Sequence, residues 1–169
     1  MTRARDVATQ GGLILLNTTP LSASSAAQIN NVFSSTYASY RIVMDIKSSV
    51  SYQMYAQLSS GGTPVGTSTY TYASRYWDTG GGGGTAENSG GATYFTLGYS
   101  NTSGSLISFD IVNPGQAQQT TMVGLTAQGS THRQFGGIHN VTTAYDGIKI
   151  APVSASTMTG NIQVYGYRQ

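Results

Sequence analysis

The sequence predicts an all-β fold: an antiparallel β-sandwich of jelly-roll type with a short extended N-terminal arm. Three observations predict it. Stretches of alternating apolar and polar residues recur about every ten residues, roughly nine to eleven of them along the chain. Gly, Asn, Ser and Pro punctuate them at the positions where turns need those residues. No stretch repeats its apolar residues at the spacing of an amphipathic helix.

The clearest strand is Tyr37 to Lys47. Tyr40, Ile42, Met44 and Ile46 share one parity, while Arg41, Asp45 and Lys47 share the other. Successive strand side chains point to opposite sides, so this pattern gives one buried and one wet face. Val43 sits among the polar set, which predicts that the wet face is partly covered by a neighbouring chain.

The remaining elements follow in order. Leu13 to Asn17 reads as a first short strand, Thr18 to Ala27 as a loop, and Gln28 to Phe33 as a second short strand. Tyr52 to Leu58 follows the central strand after about four small polar residues, a hairpin length. Gly61 to Gly66 is loop, and Thr69 to Trp77 a strand dense in aromatics. Gly80 to Gly84, continuing to Gly91, is too rich in glycine to order without strong contacts, and either a mobile tip or a segment pinned only by neighbours is expected. Alanines in place of Gly81–Gly84 are expected to leave folding nearly intact. Ala92 to Tyr99 and Ser105 to Val112 read as a hairpin turned at Asn101 to Gly104. Asn113, Pro114 and Gly115 end it with turn chemistry. Thr120 to Ala127 is a strand and Gly129 to Arg133 a loop. Gln134 to Thr143 is a weaker strand with a bulge expected at Gly136 and Gly137. Ile148 to Ala151 is short, and Gly160 to Gln169 is a terminal strand expected inside a sheet.

Composition narrows the function. Only 8% of the 169 residues are charged, against about a quarter in ordinary soluble domains. The 22 glycines and 12 tyrosines, with Ser, Thr and Asn, give a polar yet neutral surface. A net charge of +2 with scattered basic residues argues against a nucleic-acid partner. The absence of cysteine excludes disulfides, thiolate zinc sites and thiol nucleophiles. No apolar run approaches the roughly 20 residues of a membrane helix, so no membrane insertion is expected. Leu13 to Leu16 is too short for a signal-peptide core, and a soluble protein without a cleaved leader is expected.

The chemistry-bearing residues point away from catalysis. The six carboxylates are Asp6, Asp45, Asp78, Glu87, Asp110 and Asp146. Nothing places two of them across a cleft, as glycoside hydrolysis requires. His132 and His139 lie on either side of a Gly-Gly pair, which is no metal-ligand spacing. Gly80–Gly84 lacks the Lys-Ser/Thr ending of a phosphate loop. No enzyme activity, cofactor or metal is expected.

Two candidate contact regions remain. Tyr70, Tyr72, Arg75, Tyr76, Trp77 and Asp78 form an aromatic stretch suited to stacking on sugars or anchoring a protein neighbour. Plain core or subunit contact is the other reading of the same residues. Residues 1–12 differ from residues 13–169, the β-sandwich domain, and end in a Gly-Gly hinge. They read either as a frayed terminus or as a docking arm in which Arg3, Arg5 and Asp6 contact a partner.

Three segments then carry a resemblance: Leu13 to Pro20; Phe33, Tyr37, Tyr40 and Ile42; and the closing Gly160, Ile162, Val164, Tyr165, Gly166 and Tyr167. Together they resemble the small β-domain at the C-terminal end of many tailed-phage fibre proteins, over about residues 2–168. Thr2 to Asp6 resembles the segment that often precedes such modules. The resemblance implies a virion structural protein, located on the tail or capsid surface. It would be a short homotrimeric tail or head fibre, bound to other virion proteins by its N-terminus and contacting host-surface polysaccharide. No long shaft separates arm from β-domain, which keeps open a capsid decoration or tail adaptor protein with no receptor-binding role. A homotrimer also follows from the many Tyr, Thr and Val on faces that a monomer would leave wet.

Overall fold

The computed structural model describes residues 12–80, 84 and 86–168. The proposed docking residues Arg3, Arg5 and Asp6 lie outside the described residues, as do Gly81–Gly83. Thirteen strands occur among the described residues: Leu13–Ser24 (β1), Ala27–Ile29 (β2), Ser39–Ser48 (β3), Tyr52–Ser60 (β4), Thr63–Pro64 (β5), Tyr70–Asp78 (β6), Ala86–Ala92 (β7), Phe95–Ser100 (β8), Ser105–Val112 (β9), Thr120–Gln128 (β10), Thr131–His139 (β11), Gly147–Pro152 (β12) and Met158–Tyr167 (β13).

They form an antiparallel sandwich of jelly-roll type. One sheet has eight strands in the order β1-β13-β3-β9-β10-β11-β6-β7, and the other runs β2-β12-β4-β5 with β8 also on β4. The central strand β3 lies between β13 and β9, with Tyr40, Ile42, Met44 and Ile46 buried as their parity requires. Opposite them, Met54, Ala56 and Leu58 of β4 and Ile148 and Ile150 of β12 fill the same core. The terminal strand β13 is held on both sides, by β1 and β3.

Two expected hairpins are corners instead. β3 and β4 lie in opposite sheets, and so do β8 and β9. Hairpin-length connectors serve a corner equally well when both strands bury their apolar side against one core. The two corners are stitched to each other: Ser48 N donates to Asn101 O at 2.9 Å, and the Ser48 and Ser100 hydroxyls are hydrogen-bonded.

Other boundaries differ for identifiable reasons. β1 runs on through the expected loop to Ser24, because β13 supplies a ladder along its length. Pro20 is accommodated since β1 is the sheet edge and needs no donor on its outer side. The second short strand shrinks to Ala27–Ile29. Val32 and Phe33 remain buried but donate their amides to Asp146 O instead of to a ladder. The expected loop at Gly129–Arg133 is a two-residue turn, Gly129 (φ 51°) and Ser130, so Thr131, His132 and Arg133 belong to β11. No bulge occurs at Gly136 and Gly137, which pair in register with both β10 and β6. Gly137 is needed for closeness: a Cβ there would stand 2.4 Å from Thr71 O and 2.9 Å from the Phe95 ring. Within the expected mobile tip, Ala86–Ala92 forms β7, paired with β6.

The segments that carried the family resemblance turn out to be scaffold. Phe33 and Tyr37 stand edge-on to the Tyr40 ring, at 4.8 and 5.8 Å between centroids. The Tyr40 hydroxyl accepts from Ser34 N (2.7 Å) and donates to Ser34 O (2.8 Å), closing the loop that enters β3. Gly166 makes room for Tyr37, whose ring would stand 2.8 Å from a Cβ at that position.

Candidate contact surface

Alternation gives the eight-stranded sheet an outer face, turned away from the other sheet. Its ladder pairs place Val43, Ser108, Leu125, Gln134 and Arg75 in one row across β3, β9, β10, β11 and β6. The neighbouring row holds Arg41, Asp110, Val123, Gly136 and Ala73. Ten large apolar residues are exposed among the described residues. All but Val50 and Val153 lie on this face: Leu13, Leu15, Trp77, Leu106, Val112, Val123, Leu125 and Ile138. Leu125, at 61% exposure, stands near its centre. A soluble monomer seldom gathers its apolar exposure this way, and such patches mark contact sites.

One ion pair sits inside this apolar field. Arg41 grips Asp110 with both ends of its guanidinium, at 2.9 Å from Nε and 2.7 Å from the terminal nitrogen. The Tyr167 hydroxyl donates to the same carboxylate at 2.7 Å. Burial works against the Asp110 charge, but the hydrogen bonds from Arg41 and Tyr167 outweigh it and hold the carboxyl below its usual range. The hydrogen bond to Asp110 raises the Arg41 pKa in turn. Asp110 is thus matched to Arg41 and not to Asp45, which pairs in the ladder with Leu106.

Three shallow depressions mark the same face. One of about 450 Å³ is lined by Ala73, Arg75, Asn88, Gln134 and Gly136. A second of about 350 Å³ lies beside Arg41, Asp110 and Leu125. The third, of about 400 Å³, is bordered by Thr71, Thr121 and Ile138 and shares Ala73 and Gly136 with the first.

The six aromatic-stretch residues do not form one surface, because β6 sends alternate side chains to opposite sides. Tyr70 is fully buried: its hydroxyl donates to Val65 O (2.9 Å) and accepts from Leu58 N (3.1 Å), and burial raises its pKa. It is core, not a receptor contact. Tyr72 turns inward and stacks on Tyr94 at 6.4 Å. Tyr76 also points inward, 5.1 Å from the Arg133 guanidinium. Arg75 and Trp77 point outward, with the guanidinium 5.9 Å from the indole centroid. Asp78 is exposed at the strand end and accepts from Gly80 N at 2.9 Å.

The two histidines also part company. His132 is exposed, whereas His139 is buried, with Nε2 2.9 Å from the Thr69 hydroxyl and its ring 4.3 Å from that of Tyr70. Burial lowers the His139 pKa. No group of three or more His, Asp or Glu that could hold a metal occurs among the described residues.

Sequence reasoning missed the buried Arg133, which bonds Glu87 and Ser74 and lies between the rings of Tyr76 and Tyr99. The available signal was its parity with Phe135. The Arg41–Asp110 pair carried no signal, since it depends on the register between strands distant in sequence.

No protein-family model matches the chain, and no curated protein matches it. Among solved structures it is similar to the galectin LEC-6 of Caenorhabditis elegans, over 94% of this chain and 100% of that one, at 10% identity and a TM-score of 0.43. It is also similar to a Lotus tetragonolobus seed lectin, over 95% and 93% of the two chains, at 11% identity and a TM-score of 0.27.

Proposed function

We propose that this chain is a tailed-phage virion structural protein, a short homotrimeric tail or head fibre attached through its N-terminal residues. The sandwich is its exposed part and contacts host-surface polysaccharide. The observation that carries the reading is the outer face of the eight-stranded sheet, where apolar side chains surround a neutralised ion pair. The half of that face formed by β1, β13, β3, β9 and β10, which carries Leu13, Leu15, Leu106, Val112 and Leu125, spans roughly 24 Å at about 4.8 Å per strand, and with about 20 Å of strand length offers roughly 480 Å². A standard interface buries about 800 Å² per partner, so this half serves a smaller contact and leaves β11, β6 and β7 open. A second copy of the chain is the natural cover for this half, which has little charge to repel it.

Sedimentation equilibrium tests the assembly. A trimer at micromolar concentration is expected, and Leu125→Lys should shift it toward monomer without altering the circular dichroism of the sandwich. A wild-type monomer at that concentration would overturn the reading. Copy number per particle then places the protein, since capsid decoration requires far more copies than a tail fibre.

A further inference from the structure

We infer that the groove beside β6, β7 and β11 is a binding site for a carboxylate-bearing pyranose, the uronic or sialic acid unit of an acidic polysaccharide. This rests on the glycan contact proposed above, and names its place and its chemistry.

The shape comes from missing side chains. Ala73 and Gly136, adjacent across the β6–β11 ladder, form a floor shared by the depressions of about 450 and 400 Å³. The two depressions adjoin over this floor and form one trough. Arg75, Gln134 and Asn88 rise around it. Trp77 stands two residues beyond Arg75 on the same side, with 42% of its surface exposed. An exposed indole offers a flat apolar platform for the C–H face of a pyranose, and side-chain amides match its hydroxyls.

Charge supplies the specificity. The two ion pairs among the described residues engage Arg41 and Arg133. Arg75 has no acidic partner among the described residues, and its guanidinium lies 5.9 Å from the centroid of the Trp77 ring. Glu87, the acidic residue on the groove lining, is already held by Arg133 from inside the sandwich at 2.6 Å. A ligand in the trough therefore meets one uncompensated guanidinium and two amides, with the Trp77 indole next along the strand beyond Arg75. That set fits a planar carboxylate on a sugar ring, because a guanidinium binds a carboxylate through two parallel hydrogen bonds. A polyphosphate would call for several cations, and the groove has one.

Trp77 is the only tryptophan of the chain and its ring lies 5.9 Å from the Arg75 guanidinium, so its emission reports on the Arg75 end of the trough. The assembled protein is titrated with tetragalacturonate, a hyaluronan tetrasaccharide and sialyllactose, each beside its carboxyl methyl ester. At least one acid should change the Trp77 emission saturably, with its ester binding about tenfold more weakly. Arg75→Gln should abolish the difference between acid and ester. Ala73→Leu, which fills the floor from an exposed position, should abolish the response to both. Sedimentation and melting of each variant verify that fold and assembly are kept. Equal binding of acid and ester would overturn this inference and leave the glycan contact standing. Silence with all three acids and all three esters, from an intact assembly, would overturn both.

Discussion

Arg133 reaches Glu87 from inside the sandwich, forming a two-pronged ion pair at 2.6 and 3.4 Å between β11 and β7. Arg133 is 5% exposed and lies between two tyrosine rings, so its charge has no water to fall back on. The pair therefore fastens a glycine-rich edge strand to the sheet. Glu87→Ala should destabilise the fold by about 2–3 kcal/mol, below the full cost of an orphaned buried charge because Glu87 itself is partly solvated. Chemical denaturation measures the loss, and hydrogen exchange should show the β7 amides opening first. Unchanged stability would mean that Arg133 finds another partner.

The Arg41–Asp110 pair should behave differently in monomer and assembly. Both side chains are partly exposed, so Asp110→Asn should cost the isolated sandwich less than about 1 kcal/mol. In an interface over the outer face the same change leaves Arg41 uncompensated and desolvated. Its effect on association, read by sedimentation, should exceed its effect on melting. Equal effects would place the interface elsewhere.

His139 makes the fold sensitive to mild acid. Its folded pKa is lowered by burial, while in the unfolded chain it titrates near about 6.5. Above that pH both states are neutral and the group contributes no pH dependence. As the pH falls below it, the unfolded state takes a proton that the folded state resists, and stability drops by at most about 1.4 kcal/mol per pH unit. His139→Gln should flatten the stability profile in this window. Asp110, lowered in the folded state, acts in a separate window: its contribution is present above about pH 4 and is lost below it.

Two glycines of the same region should respond oppositely to alanine. A Cβ on Gly84 would stand 2.5 Å from Tyr76 O and 2.9 Å from Arg75 Nε, so Gly84→Ala should cost about 1–3 kcal/mol. This corrects the expectation that alanines through Gly84 leave folding intact. Gly90 has open space around its Cβ position, and Gly90→Ala should change stability by less than about 0.5 kcal/mol. Thermal melting of the two single variants decides.

How much of this was legible depended on whether the determinant was local. The β3 pattern is local, and Tyr40, Ile42, Met44 and Ile46 are buried as it requires. The extension of β1 was not, since Thr18 to Ser24 become a strand only because β13 offers partners. Sheet assignment was lost for the same reason: a Ser-rich connector of hairpin length reads alike whether it turns within a sheet or crosses between two. At the contact surface, β6 was found as a strand, but its aromatic residues were grouped by nearness in sequence. Parity would have separated Arg75 and Trp77 from Tyr70, Tyr72 and Tyr76. The apolar outer face was foreshadowed by Val43 alone; Leu106, Leu125 and Val123 join it only once the register is known.

The antiparallel pairing of β1 with β13 also has a mechanical side. Gly12 O accepts from Arg168 N at 3.0 Å, so the start of β1 and the end of β13 meet at one rim of the sheet. A pull on residue 12 along the β1 axis, with the sandwich held by its far end, loads the whole β1–β13 ladder in shear. A pull that separates residues 12 and 168 opens the same ladder like a zipper, one pair at a time. A sandwich tethered from residue 12 alone is therefore strong under drag, and one tethered from both ends peels at low force.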